Sequence, residues 1–159
     1  MNHSKEFSCQ DIAMMKEAIA EAHLAGEAGD VPVGAILTDA NGHIIARGRN
    51  TREVMRTALG HAELTAISDA CAVLGGWRLS GCTLYVTLEP CPMCAGAVLH
   101  ARVPRVVYGA SDPVAGAMGS VWAIHRSPVE SKHVRVEIGC MEEECRALLQ
   151  EFFKSRREM

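Results

Sequence analysis

The chain has 159 residues, 48% hydrophobic and 22% charged, with a formal net charge of −3 at pH 7. That length suits one domain around one core, the composition excludes disorder, and the acidic balance excludes a generally basic nucleic-acid binder. No apolar run approaches the roughly 20 residues of a membrane-spanning helix.

Residues Met1-Asn2-His3-Ser4-Lys5 lead into mixed sequence and not an apolar signal segment, so the expected compartment is the cytoplasm. Residues 1–7 are expected to be flexible ahead of a single domain. Ser8 or Asp11 can open a first helix, with Ile12, Met15, Ile19 and Leu24 at roughly helical spacing and a stop near Gly26 and Gly29. Val33 to Thr38 reads as a buried strand, Asp39-Ala40-Asn41-Gly42 as a turn, and His43 to Arg47 as the returning strand of a hairpin. Asn50 to Gly60 shows no apolar period. His61 to Leu74 reads as a helix with Leu64, Ile67, Ala70, Cys71 and Leu74 on one face, stopped by Gly75-Gly76.

Thr83 to Leu88 is the strongest strand signal, long and apolar enough to be central, and Glu89-Pro90 breaks it. A helix follows from Cys91 to His100, then a strand over Arg105 to Gly109. Asp112 to Ser120 is a small-residue loop, Val134 to Ile138 a last strand, and Glu142 to Arg157 a last helix. Five strands alternating with helices predict an α/β fold: a three-layer α/β/α sandwich around a mixed five-stranded sheet.

Seven cysteines are many for this length, but a core of this size needs no disulfide staples. Cys71, Cys82 and Cys140 lie among apolar neighbours and read as small buried hydrophobes; Cys9 and Cys145 lie among polar ones and read as exposed thiols. Only Cys91 and Cys94 have ligand spacing. At a helix start, residues three apart share one face beside unpaired backbone N–H groups, which favour thiolate. Pro90 fits just before that start, where a missing N–H costs little.

With His61 they make three ligands, one short of a closed tetrahedral zinc site, which is the pattern of catalytic zinc. Such an ion lowers the pKa of its water from about 16 toward about 7. Glu63, two residues after the histidine, can move that water's proton without binding metal. The chemistry implied is hydrolytic deamination of an amino-substituted heterocycle. A redox Cys-x-x-Cys would not need the paired His-x-Glu, and a structural zinc site would need a fourth ligand such as His43, His100 or Cys82.

His61-Ala62-Glu63 and Pro90-Cys91-Pro92-Met93-Cys94 resemble the signature of the zinc-dependent cytidine/deoxycytidylate deaminase superfamily. Within it the chain looks most like the bacterial tRNA-specific adenosine deaminases. The similarity takes in Val31 to Ala35, Asn50, Leu84 to Ala97, Ala101-Arg102, Val106 to Ala110, Asp112, Gly116, Gly119-Ser120, and Phe152-Phe153 with Arg156-Arg157. The resemblance implies a cytidine deaminase-like fold, one zinc ion on His61, Cys91 and Cys94, and Glu63 as proton shuttle. It also implies Asn50 on the base, a backbone group near Ala62 reading its edge, and Val33 and Pro90 beside the pocket. Asp112 would sit in a loop touching nucleic acid, and Arg102, Lys154, Arg156 and Arg157 would meet RNA. It further implies a homodimer and a tRNA anticodon stem-loop as substrate, its wobble adenosine converted to inosine.

The family usually shows Asp-Pro-Thr-Ala just before the histidine, where this chain has Thr57-Ala58-Leu59-Gly60. That change leaves the metal chemistry alone and bears on the substrate. A deaminase of a free guanine, cytosine or nucleoside is the alternative, and a catalytically idle zinc module binding RNA or protein is another. Arg105 joins Arg102 and the α-helical C-terminal cations as one candidate basic group, and Arg47, Arg49, Arg52 and Arg56 form a second. Aromatic content is only 4%, which leaves Tyr85, Tyr108, Trp77 and Trp122 as the non-phenylalanine platforms for a base.

Overall fold

A computed structural model describes residues 6–126 and 133–159; of the segment 1–7, residues 1–5 lie outside the described residues, whereas Phe7 packs against the core. Helix α1 spans Cys9–Glu27, β1 Gly34–Thr38, β2 Ile44–Arg49, α2 Ala62–Leu74 and β3 Thr83–Leu88. Helix α3 spans Pro92–His100, β4 Arg105–Ala110, β5 Arg135–Ile138 and α4 Glu142–Arg157. The strand order is β2-β1-β3-β4-β5. β1 is antiparallel to both neighbours, while β3, β4 and β5 are parallel. This is the mixed sheet expected from a hairpin followed by crossovers.

Period-two alternation sorts the side chains into two cores. Ala35, Leu37, Leu84, Val86, Val106 and Tyr108 face α2 and α3, whereas Ile36, Tyr85 and Val107 face α1 and α4. Each fully buried Val, Leu or Ile contributes about 1.5–3 kcal/mol, so a register slip in β3 would cost several such terms at once.

The helices meet the sheet through small residues. The buried stripe of α1 is Met15, Ala18, Ala22 and Ala25, so the expected face is corrected: Ile12 and Leu24 are exposed. On α2 the buried stripe is Ala62, Glu63, Ala66, Ile67 and Ala70, and Leu74 is exposed. Glycines explain the rotation, because they let the helix backbones approach closely. A Cβ at Gly34 would overlap the carbonyl oxygen of Ala18, and one at Gly48 would overlap that of Ala62. Bulkier helix residues would hold the backbone away from both points.

Capping follows the sequence more closely. Ser8 opens α1 through a capping box with Asp11, and Gly75 at φ 70° closes α2. Cys145 is a second correction. It is buried against β4, and burial pushes its thiol up to about 12; a Cβ at Gly109 would overlap its sulfur. Its polar neighbours along α4 face solvent while the sulfur faces the sheet.

The candidate basic groups are partly used up inside the fold. Arg105 lies in a semi-buried network, donating to both carboxylate oxygens of Asp11 at 2.9 Å and to Glu137 at 2.6 Å. Arg47 pairs with Glu17 at 2.8 Å, and Arg49 lies 3.6 Å from Glu21. Tyr85 and Tyr108 are buried and present no stacking surface, whereas Trp77 and Trp122 are exposed.

Candidate metal centre and base pocket

His61 and Cys91 are the N-cap residues of α2 and α3, and neither side chain caps its own helix. Both are therefore free to point at each other across the ends of the two helices. His61 Nδ1 lies 3.7 Å from Cys91 Sγ and 3.4 Å from Cys94 Sγ, and the three ligand atoms lie within 4.8 Å of one another. Zn–S near 2.3 Å and Zn–N near 2.0–2.1 Å at tetrahedral angles place neighbouring N and S ligands about 3.6 Å apart. The observed separations bracket that value, and two thiols with one imidazole are a zinc donor set. Among the described residues no fourth His, Cys, Asp or Glu joins the group, which leaves His43, His100 and Cys82 out of it.

The protons of this cluster are shared. Hydrogen bonding from Cys94 holds the Cys91 thiol down at about 4, against the effect of burial, and His61 adds to it. The same Cys91 contact and burial push Cys94 up, and Cys91 raises His61. Glu63, at the second position of α2, is buried, and desolvation raises its carboxyl. It stands beside the cluster as a carboxyl that holds a proton more readily than a solvated one.

A cavity of about 270 Å³ opens onto the cluster, lined in part by Val33, Asn50, His61, Ala62, Glu63, Cys91 and Asp112. Seven of the residues singled out in the sequence thus share one space. Asn50 is fixed by its Nδ2 donating to Val31 O at 3.2 Å, and its buried Oδ1 has no partner among the described residues. The amide orientation follows from that bond, since a carbonyl oxygen can only accept. Asn50 therefore offers the cavity an acceptor that an occupant's N–H would satisfy.

Other expected residues sit elsewhere. Pro90 is buried behind the wall, where its carbonyl accepts from Ala117 N at 2.9 Å. Asp112 Oδ1 accepts from Val114 N at 2.9 Å and Ala115 N at 3.2 Å, so that oxygen shapes its own turn. Arg102 follows α3, near Trp77 at the opposite end of the helix from Cys91. On α4 Lys154, Arg156 and Arg157 are exposed; Arg156 lies over Phe152 and donates to the carbonyl of Gly29.

Six further residues line the cavity without having been assigned to it from the sequence: Val31, Arg52, Leu88, Glu89, Ala115 and Phe153. The similarity takes in Phe152-Phe153 as a pair, and the structure splits them: Phe152 is half-buried with its ring edge-on to Phe153, while Phe153 is 48% exposed and lines the cavity. Adjacent helix positions point about 100° apart, so a Phe-Phe pair cannot serve one face alone.

These features define a hydrolytic metal site of deaminase type, and the family comparison agrees. The chain belongs to the MafB19-like deaminase family, whose profile matches residues 9–157. It is 50% identical over 148 residues to the tRNA-specific adenosine deaminase of Bacillus subtilis, across 93% of this chain and 91% of that one. A solved structure from work on A-to-I editing by tRNA:A34 deaminases superposes with TM-score 0.83 at 42% identity, covering 86% of this chain and 99% of that one. The guanine deaminase of Nitrosomonas europaea superposes with TM-score 0.76 at 27% identity, covering 95% and 88% of the two chains.

Proposed function

We propose that this protein is a single-domain, zinc-dependent deaminase that converts the wobble adenosine of a tRNA anticodon to inosine. The observation that carries the proposal is the clustering of the His61, Cys91 and Cys94 donor atoms at a cavity that buried Glu63 also lines. The chain's likeness to tRNA-specific adenosine deaminases over nine-tenths of its length supports the substrate.

His61, Cys91 and Cys94 would hold one zinc ion. When bound, zinc supplies Lewis acidity, which brings a water's pKa from about 16 to about 7. Glu63 carries the protons: its carboxylate would accept one from water and deliver it to a ring nitrogen of the base, then move that water's second proton to the amine, which leaves as ammonia as the ring carbonyl forms. Burial suits the role, because a desolvated carboxyl holds a proton more readily than a solvated one.

Asn50 Oδ1 accepts an N–H of the base, and Ala62, in a helix turn without a capping side chain, offers its backbone to the base edge. Val33 and Phe153 supply apolar walls, with Pro90 behind them and Asp112 on the rim. The base must leave its stack to reach this depth, as it can in an anticodon loop. Lys154, Arg156 and Arg157, and Arg102 at the far end of α3, are the proposed phosphate contacts.

The working unit is a homodimer in the cytoplasm. Exposed Val54, Met55 and Leu59, ahead of α2, and Met93 on α3 form apolar surface that a second copy would cover. Incubation of the zinc-loaded protein with an anticodon stem-loop carrying a wobble adenosine tests the assignment by nucleoside mass spectrometry. Inosine at that position is expected; an unchanged stem-loop beside turnover of free guanine would transfer the assignment to a small-base deaminase. The likeness to a guanine deaminase fold, together with Thr57-Ala58-Leu59-Gly60 beside the site, is what favours that second reading.

A further inference from the structure

We infer that Glu89 is a positioning residue of the base pocket: its carboxylate latches the 111–120 loop to the β3–α3 turn that carries Cys91. The inference rests on the pocket assignment above. Glu89 is 2% exposed and lines the cavity, although it is neither a metal donor nor the proton carrier. Its Oε1 accepts from Asp112 N at 3.1 Å, and its Oε2 accepts from Met118 N at 3.0 Å and Ser120 N at 3.1 Å. The Ser120 hydroxyl adds a short bond to Oε1. Four donors from one loop therefore converge on one side chain, two residues before the first cysteine.

Backbone bonds run beside the latch. Glu89 N donates to Ala110 O at 2.8 Å, and Ala117 N donates to Pro90 O at 2.9 Å. Gly116 is the residue over which the latch closes. A Cβ there would overlap both the Glu89 carboxylate and the carbonyl oxygen of Asp112.

The same loop places Asp112 and Ala115 in the wall of the cavity that Val33 and Phe153 also line. Loop and metal turn are thus registered to each other through Glu89 rather than through the metal ligands. A carboxylate suits this task better than an amide. It accepts at both oxygens, whereas glutamine would direct an N–H₂ toward backbone N–H donors. Each buried N–H left without an acceptor costs about 1–3 kcal/mol, so the loop of a glutamine variant would relax away from the turn.

The positions of Asp112 and Ala115 affect the base before and during reaction alike, so their loss removes uniform binding. That loss appears in KM, while Glu63 and the three donor residues stay in place and keep kcat. A general folding defect has the opposite signature: fewer active molecules at unchanged KM.

The test compares Glu89→Gln, Ser120→Ala and the unaltered protein, each assayed per bound zinc on the anticodon stem-loop. Glu89→Gln is expected to raise KM about 10-fold or more with kcat held within about 3-fold, and Ser120→Ala to raise KM about 3-fold. Hydrogen exchange at the Asp112, Met118 and Ser120 amides should accelerate in the same order. Unchanged KM together with unchanged exchange in Glu89→Gln would overturn the latch, as would a fall in kcat at constant KM. Where Glu89→Gln yields no soluble zinc-loaded protein, Ser120→Ala carries the test by the same criteria. The exchange measurement needs no substrate, so failure of the unaltered protein to make inosine would sink the tRNA reading and leave the latch to be judged on exchange.

Discussion

The floor of the cavity consists of two helix starts, whereas its walls are loops tied down by buried carboxylates. On the floor, His61 and Cys91 occupy N-cap positions and Glu63 and Cys94 follow within one turn, so the helix backbones fix all four side chains. In the walls, Asp30 accepts from Glu53 N at 2.8 Å and Val54 N at 3.2 Å, and Glu89 accepts from the 111–120 loop. Chemistry is placed by secondary structure, and substrate fit is placed by long-range side-chain bonds.

The largest effect should come from the floor. Glu63→Ala is expected to lower kcat by about 10²–10⁴-fold, the range of a lost general acid–base. Zinc content per chain should stay the same, and a variant that lost its zinc as well would make Glu63 part of the metal site instead. Gly48→Ala attacks the floor without touching a reactive group. Its Cβ would overlap the Ala62 carbonyl, so α2 must shift at its first turn. Overpacking of this kind costs about 1–3 kcal/mol, read as a lower melting temperature together with faster loss of zinc to a chelator. A lower melting temperature with zinc retention unchanged would separate the Gly48 contact from the metal site.

Asp30→Asn probes a wall. An amide keeps one acceptor and leaves one of the two N–H groups unmatched, costing about 1 kcal/mol. The expected reading is a rise in KM of a few-fold with kcat and zinc content intact. Equal losses of kcat and zinc would erase the distinction between wall and floor.

The smallest effect is on acid stability, through the network beneath the sheet. Burial pushes the Asp11 carboxyl up, but hydrogen bonds from Arg105 and Tyr85 outweigh it and hold the group below its ordinary 3.8. A depressed carboxylate stabilises the fold above its unfolded value and loses that contribution as pH falls through the folded one. Urea midpoints should therefore decline below about pH 4, and Asp11→Asn should flatten that decline. An Asp11→Asn protein as acid-sensitive as the parent would place the titrating group elsewhere.

The floor was legible in the sequence because helix starts are local. Pro90, the three-residue cysteine spacing and the two-residue step from His61 to Glu63 are visible without knowing what packs where. The order of elements and the mixed sheet were legible for the same reason, through the Asn41-Gly42 turn and the apolar run Thr83–Leu88. The walls were not. Nothing near Phe153 in the chain indicates that it lines a cavity with Asn50, and Glu89 reads as a strand ending until the 111–120 loop is folded onto it. The faces of α1 and α2 also escaped the apolar period. Gly34 and Gly48 select alanines for the interface, and a pattern weighted toward large side chains points to the wrong stripe. Cys145 shows the same limit, since its neighbours along the chain are polar and its neighbour in space is Gly109.

The claim that the floor sets the reaction while the walls select an RNA base is tested most directly by one comparison with one zinc-loaded sample. The kcat/KM for a wobble adenosine in an anticodon stem-loop is measured beside that for free guanine, from about 50 to about 200 mM salt. The account predicts that the stem-loop is the better substrate, and that its kcat/KM falls steeply with salt as phosphate contacts are screened. Faster turnover of guanine, with no dependence on salt, would contradict it.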